Sequence, residues 1–243
     1  NGDPMWEGAI GLVAHRGATY AGSSDFSTSL RPGGFIRWGR YTLTGAGGFT
    51  TRRQTEVERG FGAEVLRREN LRVSLNLRLD GGRSQADSPQ LAGMGNVPST
   101  LRARLGANWD AAPGWRVTSS VSADVLNRVG GLVADAGVSH QWDFGHGRLL
   151  TAGAGLSVAD ARYLQAWHGV TSEQSLRSGY PVYEAGGGLR GVSTSLTYRH
   201  EFGPAWSGYV GVDASRLLGS PARSPLTRQP LAAGASAGLA WRF

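Results

Sequence analysis

Histidine is the side chain best able to do acid–base or metal chemistry near neutral pH, and the chain has five: His15, His140, His146, His168 and His200. Their spacing matches no metal-ligand pattern, and the absence of Cys removes thiolate ligands, thiol nucleophiles and disulfides. A serine–histidine hydrolase needs a hydroxyl, an imidazole and an orienting group in one place, and no hydrolase motif surrounds any of the five. Isolated surface or interface histidines are the better reading. Every one of the 25 basic residues is Arg, which excludes a Walker-type phosphate loop and lysine-based catalysis. The glycine runs at 45–48 and 186–188 resemble phosphate loops only superficially, because no helix pattern follows them and Gly in strands marks bends or close packing. No catalytic, cofactor-binding or metal-ligating residue is assigned, and a serine–histidine enzyme is disfavoured.

The remaining chemistry is charge. A formal net charge of +7 would suit nucleic acid, anionic lipid or an acidic polymer. The Arg residues alternate with apolar positions instead of forming one exposed patch, which argues against nucleic acid. The elements that hold them must also explain 38 Gly in 243 residues and a hydrophobic fraction of only 40%. Gly is poor in helix interiors, so a helical bundle or doubly wound enzyme is disfavoured. Eight Trp, seven Tyr and seven Phe with 18% charged residues argue against disorder. No run approaches the roughly 20 apolar residues of a membrane helix.

Periodicity supplies the element. Leu71, Val73, Leu75, Leu77 and Leu79 alternate with Arg72, Ser74, Asn76, Arg78 and Asp80, a strict period of two. The same alternation runs through Leu101–Trp109, Trp115–Val125, Leu132–Trp142 and Leu231–Phe243. The polar face is small and hydrophilic, and no helix is evident to cover the apolar one. An apolar face of about 10 residues per strand fits a tilted membrane-spanning strand. In lipid the backbone must satisfy itself completely, so the expectation is an all-β fold: one closed antiparallel transmembrane barrel over residues 1–243. About twelve strands are expected, near 6–19, 33–40, 41–50, 59–68, 70–81, 99–110, 114–126, 131–143, 147–163, 185–202, 205–218 and 231–243. Short turns alternate with longer loops, notably 20–32, 82–98, 164–184 and 219–230. In a bacterial outer membrane the short turns would be periplasmic and the long loops extracellular. The chain opens at Asn1 without a signal-like segment, so an export signal is expected to have been removed already.

Trp6, Trp38, Trp109, Trp115, Trp142, Trp206 and Trp241 fall in the outward phase near the short turns, where an interfacial girdle belongs. Phe243 joins them in phase and resembles the terminal signature read by the barrel-assembly machinery. Only Trp167 stands elsewhere. The inward phase carries Arg37, Arg72, Arg78, Arg102, Arg104, Arg116, Arg199 and Arg242, with Glu7, Glu64, Asp80, Asp124, Asp135 and Asp213. Such a lumen is either an anion-selective pore or a salt-bridged filling, and the near balance of signs favours the filling. Arg190 and Arg216, read as outward near the long loops, are candidates for lipopolysaccharide phosphates or for snorkelling to water. His140 and His200 are also outward, but near the short turns and away from the outer leaflet that a membrane-barrel lipase would need.

The loops then carry a resemblance. Trp167 through Tyr183 (WHGVTSEQSLRSGYPVY), followed by the Gly-Gly-Gly-Leu-Arg190 run, resembles the MipA/OmpV family of outer-membrane proteins. So do Ser215 through Leu226 (SRLLGSPARSPL), the closing strand to Phe243, Tyr20–Asp25, Phe35–Gly39, and the stretch from Gly82 through Ser88–Asn96. A Trp167–His168 pair stands where the family more often has two aromatics. The resemblance implies a non-enzymatic barrel associated with scaffolding between murein hydrolases and synthases, and also with permeability, adhesion or stress response. Two classes stay open: an adaptor gripping periplasmic partners through its turns, and a narrow channel or surface receptor using lumen and loops.

Overall fold

The computed structural model describes residues 6–45 and 60–243, and in them the period-two segments become twelve strands. In chain order they are β1 (Trp6–Ala18), β2 (Phe26–Trp38), β3 (Tyr41–Thr44), β4 (Gly60–Arg67), β5 (Leu71–Asp80) and β6 (Thr100–Ala112). The second half is β7 (Trp115–Asp124), β8 (Leu132–Asp143), β9 (Arg148–Ala159), β10 (Gly188–Glu201), β11 (Trp206–Leu217) and β12 (Leu231–Arg242). Each pairs antiparallel with its neighbours. β1 closes on β12 from Ala9↔Arg242 to Arg16↔Ala235, so the sheet is a closed barrel. Closure gives every strand two partners, which is what a sheet requires where no water can satisfy its edges.

The two faces sort as the alternation demands. Ile10, Leu12, Leu75, Leu79, Leu105, Val121, Val210, Val212 and Leu239 point outward and stay exposed. Among the described residues the buried apolar side chains do not form one central core; they fall into small clusters. Lipid takes the place of a core on the outer face. Inside, small residues let larger ones lie across them. The Tyr209 ring covers Gly238, where an added Cβ would sit 2.3 Å from a ring carbon. The Phe243 ring covers Gly8 in the same way on the outer face.

Three expectations are corrected. The second strand begins at Phe26, not near 33, so the loop expected at 20–32 contracts to 19–25. Phe26, Thr28 and Leu30 continue the outward phase of this strand, and Pro32 sits within it opposite Leu12. The strand expected to reach 163 stops at Ala159, because the Asp160 carboxylate accepts the Tyr163 amide at 2.8 Å and caps a helix. Helices absent from the sequence reading therefore occupy the long loops: α1 (Ala161–His168), α2 (Ser172–Ser178) and α3 (Gly219–Arg223). The glycine run 45–48 beyond Gly45, and the rest of the strand expected at 41–50, lie outside the described residues.

Candidate functional site: the lumen and its cap

At the short-turn end the inward charges are neutralised. Arg37 meets Glu7 at 3.0 Å, and Arg242 meets Glu201 at 2.8 Å. Asp110 lies between two cations, accepting from Arg72 at 2.9 Å and Arg116 at 2.6 Å. Glu64 pairs with Arg67. Asp110, Arg67 and Glu201 stand beside turns, so an inward-phase reading of the strand interiors missed them. These ion pairs form a collar at the short-turn end.

At the other end the loops build a cap. Loop 19–25 reaches loop 81–99 and loop 218–230, because the Tyr20 hydroxyl shares its one proton between Gln90 Oε1 at 2.8 Å and the Leu226 carbonyl at 3.1 Å. The Arg83 guanidinium donates to the Trp167 carbonyl at 2.7 Å, and the Ser224 hydroxyl to the His168 carbonyl at 2.6 Å. The Tyr180 hydroxyl donates to the Gln90 carbonyl, and the Tyr183 hydroxyl to the Ser220 carbonyl. Met94, Val170 and Leu226, from three different loops, share one buried cluster. A second joins Tyr163, Leu164 and Ala185 to inward-facing Val133 and Ala159. α1 is thus seated in the mouth, with Leu164 fully buried. Burial raises the Tyr20 phenol above its usual range and lowers the Arg83 guanidinium. His168 is pushed down to about 3, chiefly by burial and then by the positive charge of Arg190 and Arg83.

Beneath α1, among the described residues, Arg102 and Arg190 form no ion pair. Arg102, 4% exposed, donates to the carbonyls of Ser122 at 3.1 Å and Gly131 at 3.2 Å, and its Nη1 has no partner. Its cross-strand neighbour Asp124 is turned away. That carboxylate accepts the Thr100 hydroxyl and the amides of Leu126, Val129 and Gly130, which fixes loop 125–131. Arg102 and Arg190 both lie over the Tyr163 ring, at 5.0 and 5.6 Å from its centroid. Next to them is a cavity of 520 Å³ walled by Thr118, Ser139, Ser157, Ser193, Ser195 and Ser215, with Arg190 and Asp135 as its inward charges.

Arg190 corrects an expectation. The register between β10 and β9 shifts between Leu189 and Gly191, so Leu189 keeps the outward phase opposite Val158. The bulge turns Arg190 inward, where it donates to Ser157 Oγ at 3.3 Å, and it is not at the lipid face. Arg216 does keep the outward phase, and Arg16, not singled out from the sequence, faces outward at the same end and bonds Thr28.

Comparison with known proteins assigns the family. The family model described as "MltA-interacting protein MipA" matches residues 10–243. The chain belongs to the MipA family. No curated protein matches it. Among solved structures, the NanC porin is similar at a TM-score of 0.50 with 8% identity, covering 95% of this chain and 98% of that one. The CymD monoaromatic hydrocarbon channel follows at 0.44, with 11% identity and coverages of 99% and 88%. Salmonella typhi OmpF in complex with daunomycin scores 0.43, with 9% identity and coverages of 98% and 97%. At 8% identity the likeness to the NanC porin shows only the fold, that of an outer-membrane barrel.

Across this MipA-family barrel the other singled-out residues disperse. Arg104 stands between Asn76 and Ser122 on the inner wall. Arg78 lies opposite Arg102, Arg199 lies over the Tyr209 ring at 6.0 Å, and Asp213 lies across Gly234. Asp80 accepts the Gly82 amide, and Asp135 accepts the Ser120 hydroxyl at 3.4 Å. All seven outward Trp are exposed at the short-turn end, joined there by Tyr41, Phe144 and Phe202. Phe243 packs on Trp6 and Trp241. His140 sits between Trp115 and Trp142, and His200 beside Tyr198 and Phe202, all within this aromatic belt. Among the described residues no group of three His, Asp or Glu is placed to hold a metal.

Proposed function

We propose that this MipA-family barrel acts as one unit in the bacterial outer membrane, turns toward the periplasm. There it serves, without catalysis of its own, as an adaptor holding a murein-acting protein of the MltA kind. The observation that supports the reading is the packed cap across the long-loop mouth, which a freely open pore would not carry. The aromatic belt at the short-turn end fits the inner interface, and outward Arg216 and Arg16 at the opposite end fit contacts with lipopolysaccharide phosphates. The rim open to a partner is made of turns 39–40, 68–70, 113–114, 144–147 and 202–205. Each is small beside the roughly 800 Å² per partner of a stable interface, so a partner must grip several at once. Binding of purified MltA to the barrel in nanodiscs tests this. Replacing turns 113–114, 144–147 and 202–205 together with Gly-Asn-type turns is expected to abolish binding, and unchanged binding would refute the rim as the docking face. The 520 Å³ lumen cavity favours a second reading, a narrow solute path gated by the cap. A planar-bilayer recording separates the two: steady conductance by the intact protein supports the path, and its absence supports the adaptor.

A further inference from the structure

We infer that the cavity under α1 binds a small zwitterion of amino-acid to dipeptide size, its carboxylate on Arg190 and its ammonium group on Asp135. This goes beyond the adaptor reading and stands or falls independently of it.

The first support is the bulge in β10. An outward Arg near the membrane interface costs only about 0–1 kcal/mol, so avoiding lipid is a weak reason to break the register of a long strand. What the bulge achieves is aim. It carries the guanidinium of Arg190 into the lumen, onto Ser157 Oγ and over the Tyr163 ring. The second support is the arrangement of charge. Arg190 and Asp135 line one cavity, and Ser157, which Arg190 contacts, is the cross-strand neighbour of Asp135. The two charges nevertheless form no ion pair, and Asp135 receives only a long bond from Ser120. Opposite charges held apart in one cavity are complementary to a ligand that carries both. The third is the wall, whose hydroxyls at Thr118, Ser139, Ser193, Ser195 and Ser215 can bond the amide of a short backbone. The volume of 520 Å³ lies within the roughly 300–1,000 Å³ of ligand pockets. Arg102, buried with a free Nη1 and over the same Tyr163 ring as Arg190, adds positive potential that favours the carboxylate end at Arg190.

The test is calorimetric titration of the purified full-length barrel in micelles with Ala-Ala, N-acetyl-Ala-Ala, the Ala-Ala amide and succinate. Ala-Ala is expected to bind, and each blocked dipeptide to bind at least tenfold more weakly. Arg190→Gln is expected to erase the preference for Ala-Ala over its amide, with Arg190→Lys keeping part of it. Asp135→Asn is expected to erase the preference over the acetylated form. Heat-modifiable gel mobility confirms that each variant is folded, and the comparison of ligands on the unaltered protein needs no variant. No binding of Ala-Ala, equal binding of all three dipeptides, or succinate binding as tightly as Ala-Ala would overturn the inference.

Discussion

His168 is buried in the cap beside Arg190 and Arg83, and its imidazole is held down to about 3 from an ordinary 6.5. The folded cap therefore refuses a proton that the unfolded segment accepts. Between about 6.5 and 3 the unfolded form binds more protons, so the cap loses stability as pH falls through that window and is unaffected above it. Limited proteolysis of residues 161–178 is expected to accelerate between pH 7 and pH 4, and His168→Gln to flatten that dependence. Equal acid sensitivity in both proteins would contradict it. At the opposite end Asp110 separates two guanidiniums, and Asp110→Asn leaves Arg72 and Arg116 facing each other. Removing one partner of a buried pair costs about 3–5 kcal/mol, and partial exposure reduces this to roughly 1–2 kcal/mol here. Urea unfolding should register that loss, whereas Asp143→Asn at the exposed end of β8 should not. At this scale the sequence was partly legible. Alternation placed Glu7 and Arg37 together on the inner face. It also carried a clue about Arg190, since Leu189 is out of step with Val192, Leu196 and Tyr198, and that phase break is the bulge. Asp110 and Glu201 escaped because residues next to turns belong to no clear phase.

Among the elements, the strands were legible and the cap was not. A period of two follows from the pleat alone, so lipid on one side and a polar lumen on the other wrote β5 to β8 and β12 directly into the sequence. α1, α2 and α3 are too short to print a period of 3.6, and only their caps announce them. Asp160 before Tyr163, and Thr171 with Gln174 three residues on, are both readable as helix starts. What α1 does depends on burial that no local pattern reveals. Leu164, fully buried between the inner wall and Ala185, holds it in place. Leu164→Glu buries an unpaired carboxylate, so α1 is expected to leave the mouth. Proteolysis of residues 161–178 should then rise at least tenfold while the heat-modifiable mobility of the barrel is unchanged. Loss of that mobility, or a cap as resistant as before, would show that α1 is not held this way.

For the molecule as a whole, lipid on the outer face explains the composition. A barrel with no central core needs few large apolar residues, and small inner-wall residues leave room for Tyr209, Arg199 and Asp213. The charges divide by end: a neutralised collar of Arg–carboxylate pairs at the short turns, and unneutralised Arg102 and Arg190 under the cap. On the proposed adaptor role, a closed sheet capped at one end offers its short turns as the docking face. Photo-crosslinking in living cells addresses this most directly, with a crosslinkable residue placed in turn at Gly114, His146 and Gly203 and, for comparison, at Gln85, Leu176 and Arg223. The expected result is adducts to a murein hydrolase from the three turn positions and none from the three loop positions. Adducts confined to the loop positions, or turn positions that capture no murein-acting protein while the barrel is folded in the outer membrane, would contradict it.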